Sequence, residues 1–598
     1  MSFRASRLVS DPSRIFDHGK SGYDTNESDS YDYVIVGGGT AGCVLASRLT
    51  EKADLNILLI EAGETRMPLA FTKLFSSQYD WDYDTTPQVG LNNRRTHWPS
   101  GKMLGGSSSI NCCVHHHCAP EDFDNWAKLG MTGWSYNNLR QYFLKSEKYS
   151  PGGSTSNVDP SLRGASGPWR TRRCTTLPIS QAIIRSCEVN GIPMKHDFNT
   201  KSGTAGVGSL ACFIDQAGER SSTATAYLTP DVLLRPNLTV LIGCSIERIL
   251  FEEQGGSQRA TGVQVSKSPD TLSYVIRASK EVILCAGSVA TPQLLTISGI
   301  GPHEELERLA IQPIKCLDAV GKNLSDHICT GALHFPCKPG YSLDYLSHPL
   351  SAAVAAARWM VTGGGPLSYP PMPGAAFFRS GDANLPFGTS TAYPVEDLAT
   401  GPGAPDCELV WFPLLIQPSG QVKQPRDRHG ITLSVIALQP KSKGGITLAS
   451  GSIWDKPIIN ANYLHQESDL NLLLRAIHLQ RAIARTPPFS EILELTDAVT
   501  DKNDMFWPGD AHPSTLTEDG LRDWIRANST SAWHPVSTAR MGLSPADSVV
   551  DVSLRVHGVT GLRVCDASVF PTQVSGHPCA TVVAIAEKLA DMIKEERK

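Results

Sequence analysis

Two of the 17 histidines stand in settings suited to proton transfer. His534 lies in Ala532-Trp533-His534-Pro535 and His577 in Ser575-Gly576-His577-Pro578. Each sits beside proline in a turn-like context, not on the apolar helical face where a histidine mostly serves as packing. Imidazole titrates near neutral pH, so a positioned histidine can draw the proton from an alcohol hydroxyl, whose own pKa lies far above 7. Alkoxide character then helps expel hydride from the carbinol carbon. Either could be the proton acceptor while the other hydrogen-bonds the substrate oxygen; the residues alone leave that assignment open.

A hydride needs an acceptor, and the stretch Tyr33-Val34-Ile35-Val36-Gly37-Gly38-Gly39-Thr40-Ala41-Gly42 suggests how one is held. It reads as strand, tight turn and helix. In the G-x-G-x-x-G pattern, Gly37 takes the turn, Gly39 lets the chain approach a pyrophosphate, and Gly42 lets helix and strand pack closely. The amides at the helix start would face the phosphates. A second apolar strand, Asn56 to Ile60, ends at Glu61, placed to accept ribose hydroxyls. This favours an adenine dinucleotide with an unphosphorylated ribose, FAD or NAD rather than NADP. The block Gly101-Lys102-Met103-Leu104-Gly105-Gly106-Ser107-Ser108-Ser109-Ile110-Asn111 is too rich in Gly and Ser for a regular element. Met103, Leu104 and Ile110 would bury it, and its amides and hydroxyls could line a flavin or a phosphate.

The run Cys112-Cys113-Val114-His115-His116-His117-Cys118 invites a metal reading. However, adjacent side chains on an extended segment point to opposite sides, and the usual ligand spacers are missing, so no metal is expected. The segment is expected to line the flavin pocket or the substrate channel.

Composition narrows the classes. With 598 residues, the chain is too long for one simple core. A net charge of -5 without a basic tract sets nucleic-acid binding aside. No apolar stretch is long enough to span a bilayer; the best, Ala352 to Val361, is short and holds Arg358. The 15 cysteines form no repeating frame and read as reduced thiols of a cytoplasmic protein. The Arg/Ser content of the first residues faintly suggests a mitochondrial presequence, against which Asp11 and Asp17 argue.

The Gly/Ser block resembles the first signature of the glucose-methanol-choline (GMC) family of FAD oxidoreductases. The stretch from Gly287-Ser288-Val289-Ala290-Thr291-Pro292 to Gly301 resembles the second. Further landmarks in family order are Val320-Gly321-Lys322-Asn323-Leu324-Ser325-Asp326-His327, Pro440-Lys441-Ser442-Lys443-Gly444, His534-Pro535-Val536-Ser537-Thr538 and Leu562-Arg563-Val564-Cys565-Asp566-Ala567-Ser568.

The resemblance implies FAD as cofactor, His534 as catalytic base and His577 as its active-site companion. It implies FAD contacts around Gly37, Gly39, Thr40, Ala41 and Gly42, at Glu61 and Ala62, and at Gly105, Ser109, Asn111, Cys112, Cys113 and Val114. Further contacts are implied at Ile246, Ala286, Asp566, Ala567, Pro578 and Cys579. Relatives that attach FAD covalently use a histidine where this chain has Ile110, so noncovalent FAD is expected.

The fold class expected is α/β: a Rossmann-like FAD-binding domain (31–170, 206–330 and 545–598) preceded by an arm (1–30). A second, α+β substrate domain (171–205 and 331–544) would be built on an antiparallel sheet. The expected activity is FAD-dependent oxidation of a CH-OH group, of a primary or aryl-type small-molecule alcohol. Oxygen or a quinone-like molecule would be the electron acceptor, and the protein would be a monomer or homodimer. The runner-up keeps fold and FAD but does non-redox chemistry as a lyase, cyclase or decarboxylase.

Overall fold

A computed structural model of the chain describes residues 8–15, 30–64, 74–151, 157–387, 393–416 and 428–597. The apolar, β-branched run Tyr31–Val36 is a strand at the centre of a nine-stranded sheet. It pairs in parallel with Ile57–Glu61 on one side and Tyr274–Leu284 on the other. Leu238–Ile242 extends the parallel array beyond Ile57–Glu61, and Leu8–Val9 beyond that, so part of the N-terminal arm is a sheet edge. Leu562–Val564 returns from the far end of the chain to pair with Tyr274–Leu284. Parallel strands covered on both faces read as continuous apolar runs, and Ile57–Glu61 is buried at every position. Helices Thr40–Leu49, Tyr136–Ser146 and Cys579–Glu595 pack together beside this sheet. The first half of Tyr274–Leu284 pairs antiparallel with Ser257–Ser266, which pairs in turn with Ser245–Gln254.

A seven-stranded antiparallel sheet forms the second layer. Its centre is Gly430–Ala437, buried at all positions. Strand alternation divides the side chains between two environments. Ile431, Leu433, Val435 and Ala437 join a core with helix Glu467–Ala484. Thr432, Ser434 and Ile436 face the central cavity. Two pieces assigned from sequence to the FAD-binding part belong to this sheet instead. Gly206–Ser209 pairs with Gly374–Phe378, and Ile328–Cys329 with Gly430–Ala437. Both strands are too short to carry an alternation that would mark their partner. A four-stranded sheet of Glu147–Ser150, Trp169–Arg173, Ala211–Cys212 and Val114–His115 adjoins the two. Ala352–Val361 lies within helix Pro349–Thr362, and no helix among the described residues is long and apolar enough to cross a membrane.

Candidate active site

A cavity of about 380 Å³ runs from the carboxyl ends of the parallel strands to the antiparallel sheet. At one end is the glycine turn. Gly37 has φ +101°, and a Cβ there would lie 2.5 Å from the Cys285 carbonyl oxygen. A Cβ on Gly42 would lie 1.9 Å from the Gly37 carbonyl oxygen, so Gly42 closes the strand–helix contact and does not line the cavity. Gly39 caps helix Thr40–Leu49 without a side-chain bond to the helix amides. Helices Gly287–Ile297 and Cys579–Glu595 also begin at the cavity. The first amide of Gly287–Ile297 is taken by Asp566 Oδ2 at 2.8 Å, whereas Cys579–Glu595 has no side-chain bond from its N-cap residue. The helix starts at Thr40 and Cys579 thus present the positive ends of their dipoles to one space, a setting that fits an electronegative, phosphate-bearing cofactor.

Glu61 lines the cavity, accepting from the amides of Gly38 at 2.8 Å and Gly63 at 2.9 Å. Burial pushes its carboxyl up to about 7, with those amides opposing the shift. Thr40, Ala41, Ala62, Asn111, Cys112, Val114, Ile246, Ala286, Asp566, Ala567, Pro578 and Cys579 line the same space.

Three expected contacts stand behind the wall instead. Gly105 donates its amide to the Gly38 carbonyl, and the Ser109 hydroxyl donates to Leu104 O. Cys113, with φ +61°, donates its amide to Asn111 Oδ1. They shape the turn, while their neighbours Gly106, Ser107 and Ser108 reach the cavity. Ile110 occupies the wall at the position discussed for covalent attachment.

At the other end, His534 and His577 face each other with ring centroids 5.0 Å apart and planes at 85°. His534 sits on a strained turn between Trp533 (φ +61°) and Ser537 (φ +73°). Asp326 holds that turn. Its Oδ1 accepts the His534 amide at 2.7 Å, and its Oδ2 accepts the hydroxyls of Ser531 and Tyr463. The Gln573 amide donates to His534 O at 3.0 Å, tying one histidine loop to the other. The His577 loop is fastened by Asp122, which accepts both the amide and the hydroxyl of Ser575. Burial holds the His534 imidazolium far below its ordinary 6.5, reinforced by the neighbouring His577. A neutral His534 is a competent proton acceptor.

Sequence reasoning missed the partner of His577. His577 Nε2 lies 2.9 Å from Glu408 Oε1, and Glu408 is fully buried. Glu408 belongs to the apolar strand Cys407–Phe412, on the face that also sends Val410 and Phe412 into the cavity. An acid inside so apolar a strand was the available signal.

The run His115 to His117 departs from expectation. All three rings are buried, and none lines the cavity. His116 stacks on Phe377 at 4.8 Å, His117 on Phe143 at 4.3 Å, and His115 meets Trp169 edge-on at 5.1 Å. Strand Val114–His115 carries them under the wall, where they act as aromatic packing. Among the described residues, the His/Cys/Asp/Glu group whose ligand atoms converge is Asp80, Asp82 and His97, well away from residues 112–118 in the chain.

The GMC oxidoreductase N-terminal profile matches residues 31–329 and the C-terminal profile residues 440–586. The chain belongs to the GMC oxidoreductase family. It is 44% identical to the dehydrogenase str4 of Strobilurus tenacellus over 98% of both chains. It is 33% identical to the mitochondrial choline dehydrogenase of Mus musculus over 95% of this chain and 90% of that one. Among solved structures, it superposes on a formate oxidase with a TM-score of 0.84, at 26% identity, covering 95% and 98% of the two chains. GMC membership agrees with the mixed α/β architecture.

Proposed function

We propose that this GMC oxidoreductase holds FAD noncovalently and oxidises an uncharged primary alcohol, of aryl type, with His534 as base. The observation that carries the reading is the histidine pair at one end of the cavity whose other end is the glycine turn. FAD, when bound, supplies the acceptor for the hydride leaving the carbinol carbon. Glycines 37 and 39, the uncapped start of helix Thr40–Leu49 and Glu61 suit its nucleotide half, and a nonligating Ile110 suits noncovalent binding.

The protein's own work is positioning and proton transfer. The substrate hydroxyl lies between the two rings. Neutral His534 takes its proton. His577, donating Nε2–H to Glu408, is ready to hold a second proton on Nδ1 beside that carboxylate and to stabilise the developing alkoxide by a hydrogen bond from it, the proton staying on the ring. These partners support that division of roles.

The substrate side of the wall supports an uncharged ligand. It presents Phe75, Phe412, Trp533, Met372 and Ile416, with the hydroxyls of Thr330, Thr432 and Ser434. Among the described lining residues, the only carboxylates are Glu61 and Asp566, both at ends of the parallel strands. A quaternary ammonium would meet no free counter-charge there, so choline is expected to be a poor substrate although choline dehydrogenases are relatives.

The test is anaerobic mixing of the FAD-loaded protein with benzyl alcohol, cinnamyl alcohol and choline. Bleaching of the flavin spectrum by the aryl alcohols is expected. Bleaching by choline alone contradicts the substrate class, and bleaching by none of a wider alcohol panel contradicts the redox reading. Reoxidation by oxygen or by a quinone then separates oxidase from dehydrogenase.

A further inference from the structure

His327 lies directly behind His534, fully buried, with its Nδ1 2.9 Å from His534 Nδ1. On its other side, His327 Nε2 lies 2.9 Å from Leu438 O and 3.0 Å from Val574 O. Carbonyl oxygens only accept, so Nε2 must carry a hydrogen, shared between the two. Burial holds the His327 imidazolium down to about 3, so the ring has one N–H and its Nδ1 is a bare lone pair. A lone pair at 2.9 Å demands a donor opposite. His534 Nδ1 must therefore bear hydrogen, since the alternative sets two lone pairs against each other in a buried site. The lone pair of neutral His534 is left at Nε2, the nitrogen away from His327 on a ring that lines the cavity.

We propose that His327 is a positioning residue that locks His534 in the Nδ1–H tautomer and closes its rear nitrogen to proton relay. This rests on the reading of His534 as the base. The chain of bonds ends on two main-chain carbonyls, which offer no onward proton carrier. When the substrate O–H bond breaks, an N–H bond forms at His534 Nε2 and the electron pair stays on the substrate oxygen. The proton then remains on the cavity side, available to the acceptor that reoxidises the enzyme. The lock also joins three segments of the site, because Leu438 follows the strand Gly430–Ala437 and Val574 precedes the His577 turn.

The tautomer can be read with no alcohol present. In FAD-loaded protein labelled with 15N-histidine, long-range 1H–15N spectra distinguish Nδ1–H from Nε2–H, and comparison with His534→Ala assigns the signal. The wild type is expected in the Nδ1–H form. His327→Gln, whose Oε1 accepts while its Nε2 donates, is expected to keep it. His327→Phe is expected to lose it and, with benzyl alcohol as probe, to slow flavin reduction by about 10²-fold at unchanged FAD content. His327→Gln should restore most of that rate. An Nε2–H signal for His534 in the wild type, or an Nδ1–H signal that survives His327→Phe, overturns the proposal. Failure of benzyl alcohol to reduce the wild type overturns only the substrate reading, since the tautomer is measured without it.

Discussion

At the scale of single residues, the two histidines of the proposed site differ in what stands behind each. His534 is backed by a neutral donor–acceptor ring and His577 by a carboxylate. Burial and the neighbouring His577 charge keep His534 unprotonated well below pH 6.5. Its folded-state pKa is depressed, so the proton acceptor stays available as pH falls through 6.5 and is lost only well beneath it. The rate of flavin reduction should therefore show no fall centred at pH 6.5. His577→Asn removes a charge that depresses His534 and should move the acid limb of the pH profile upward while lowering the rate. Glu408→Gln keeps the shape but removes the negative charge beside His577. The loss of one preorganised charge contact in a water-excluded site is expected to lower the reduction rate about 10²-fold, read by stopped-flow absorbance.

At the scale of elements, the histidine loops depend on close backbone approach. A Cβ on Gly576 would lie 2.1 Å from His116 Nδ1, and His116 is wedged against Phe377. Gly576→Ala should displace the His577 turn, with turnover falling while FAD content holds. Gly42→Ala, with its Cβ 1.9 Å from Gly37 O, should act at the opposite end. It separates the first helix from its strand at a cost of roughly 1–3 kcal/mol or more, and the purified protein should lose its FAD absorbance.

These two ends were not equally legible in the sequence. The glycine turn, the buried parallel strands and the terminal amphipathic helix are local patterns, and Gly37, Gly39 and Glu61 line the cavity. Glu408 and His327 act through contacts made across sequence separations of 169 and 207 residues, which no local pattern displays. The run His115 to His117 misled for a related reason. Its chemistry is read from residue type, whereas its role is decided by a strand that turns it into the core against Phe377 and Phe143.

At the scale of the whole molecule, two sheets of different kind enclose one cavity, and chain segments far apart in sequence close it. The terminal stretch supplies a strand, His577 and the helix Cys579–Glu595, whose Glu587 pairs with Arg48 of the first helix. Cofactor site and fold stability are linked through Glu61. Its folded-state pKa of about 7 stands above the unfolded carboxylate value of 4.5, so its ionisation weakens the apoprotein as pH rises from 4.5 through 7. Glu61→Gln removes that loss. In FAD-free protein, the variant should match the wild type near pH 4 and exceed it by up to about 3 kcal/mol at pH 8, while binding FAD more weakly. Thermal melts with and without FAD across this range measure both effects.

The measurement that bears most directly on the proposed chemistry is anaerobic flavin reduction by an aryl primary alcohol, in wild type and in His534→Ala loaded with equal FAD. The wild type should bleach, more slowly when the carbinol hydrogens are deuterium, and His534→Ala should be slower by about 10²-fold or more. Reduction of the variant at the wild-type rate would contradict His534 as the base around which the cavity, Asp326 and His327 are arranged.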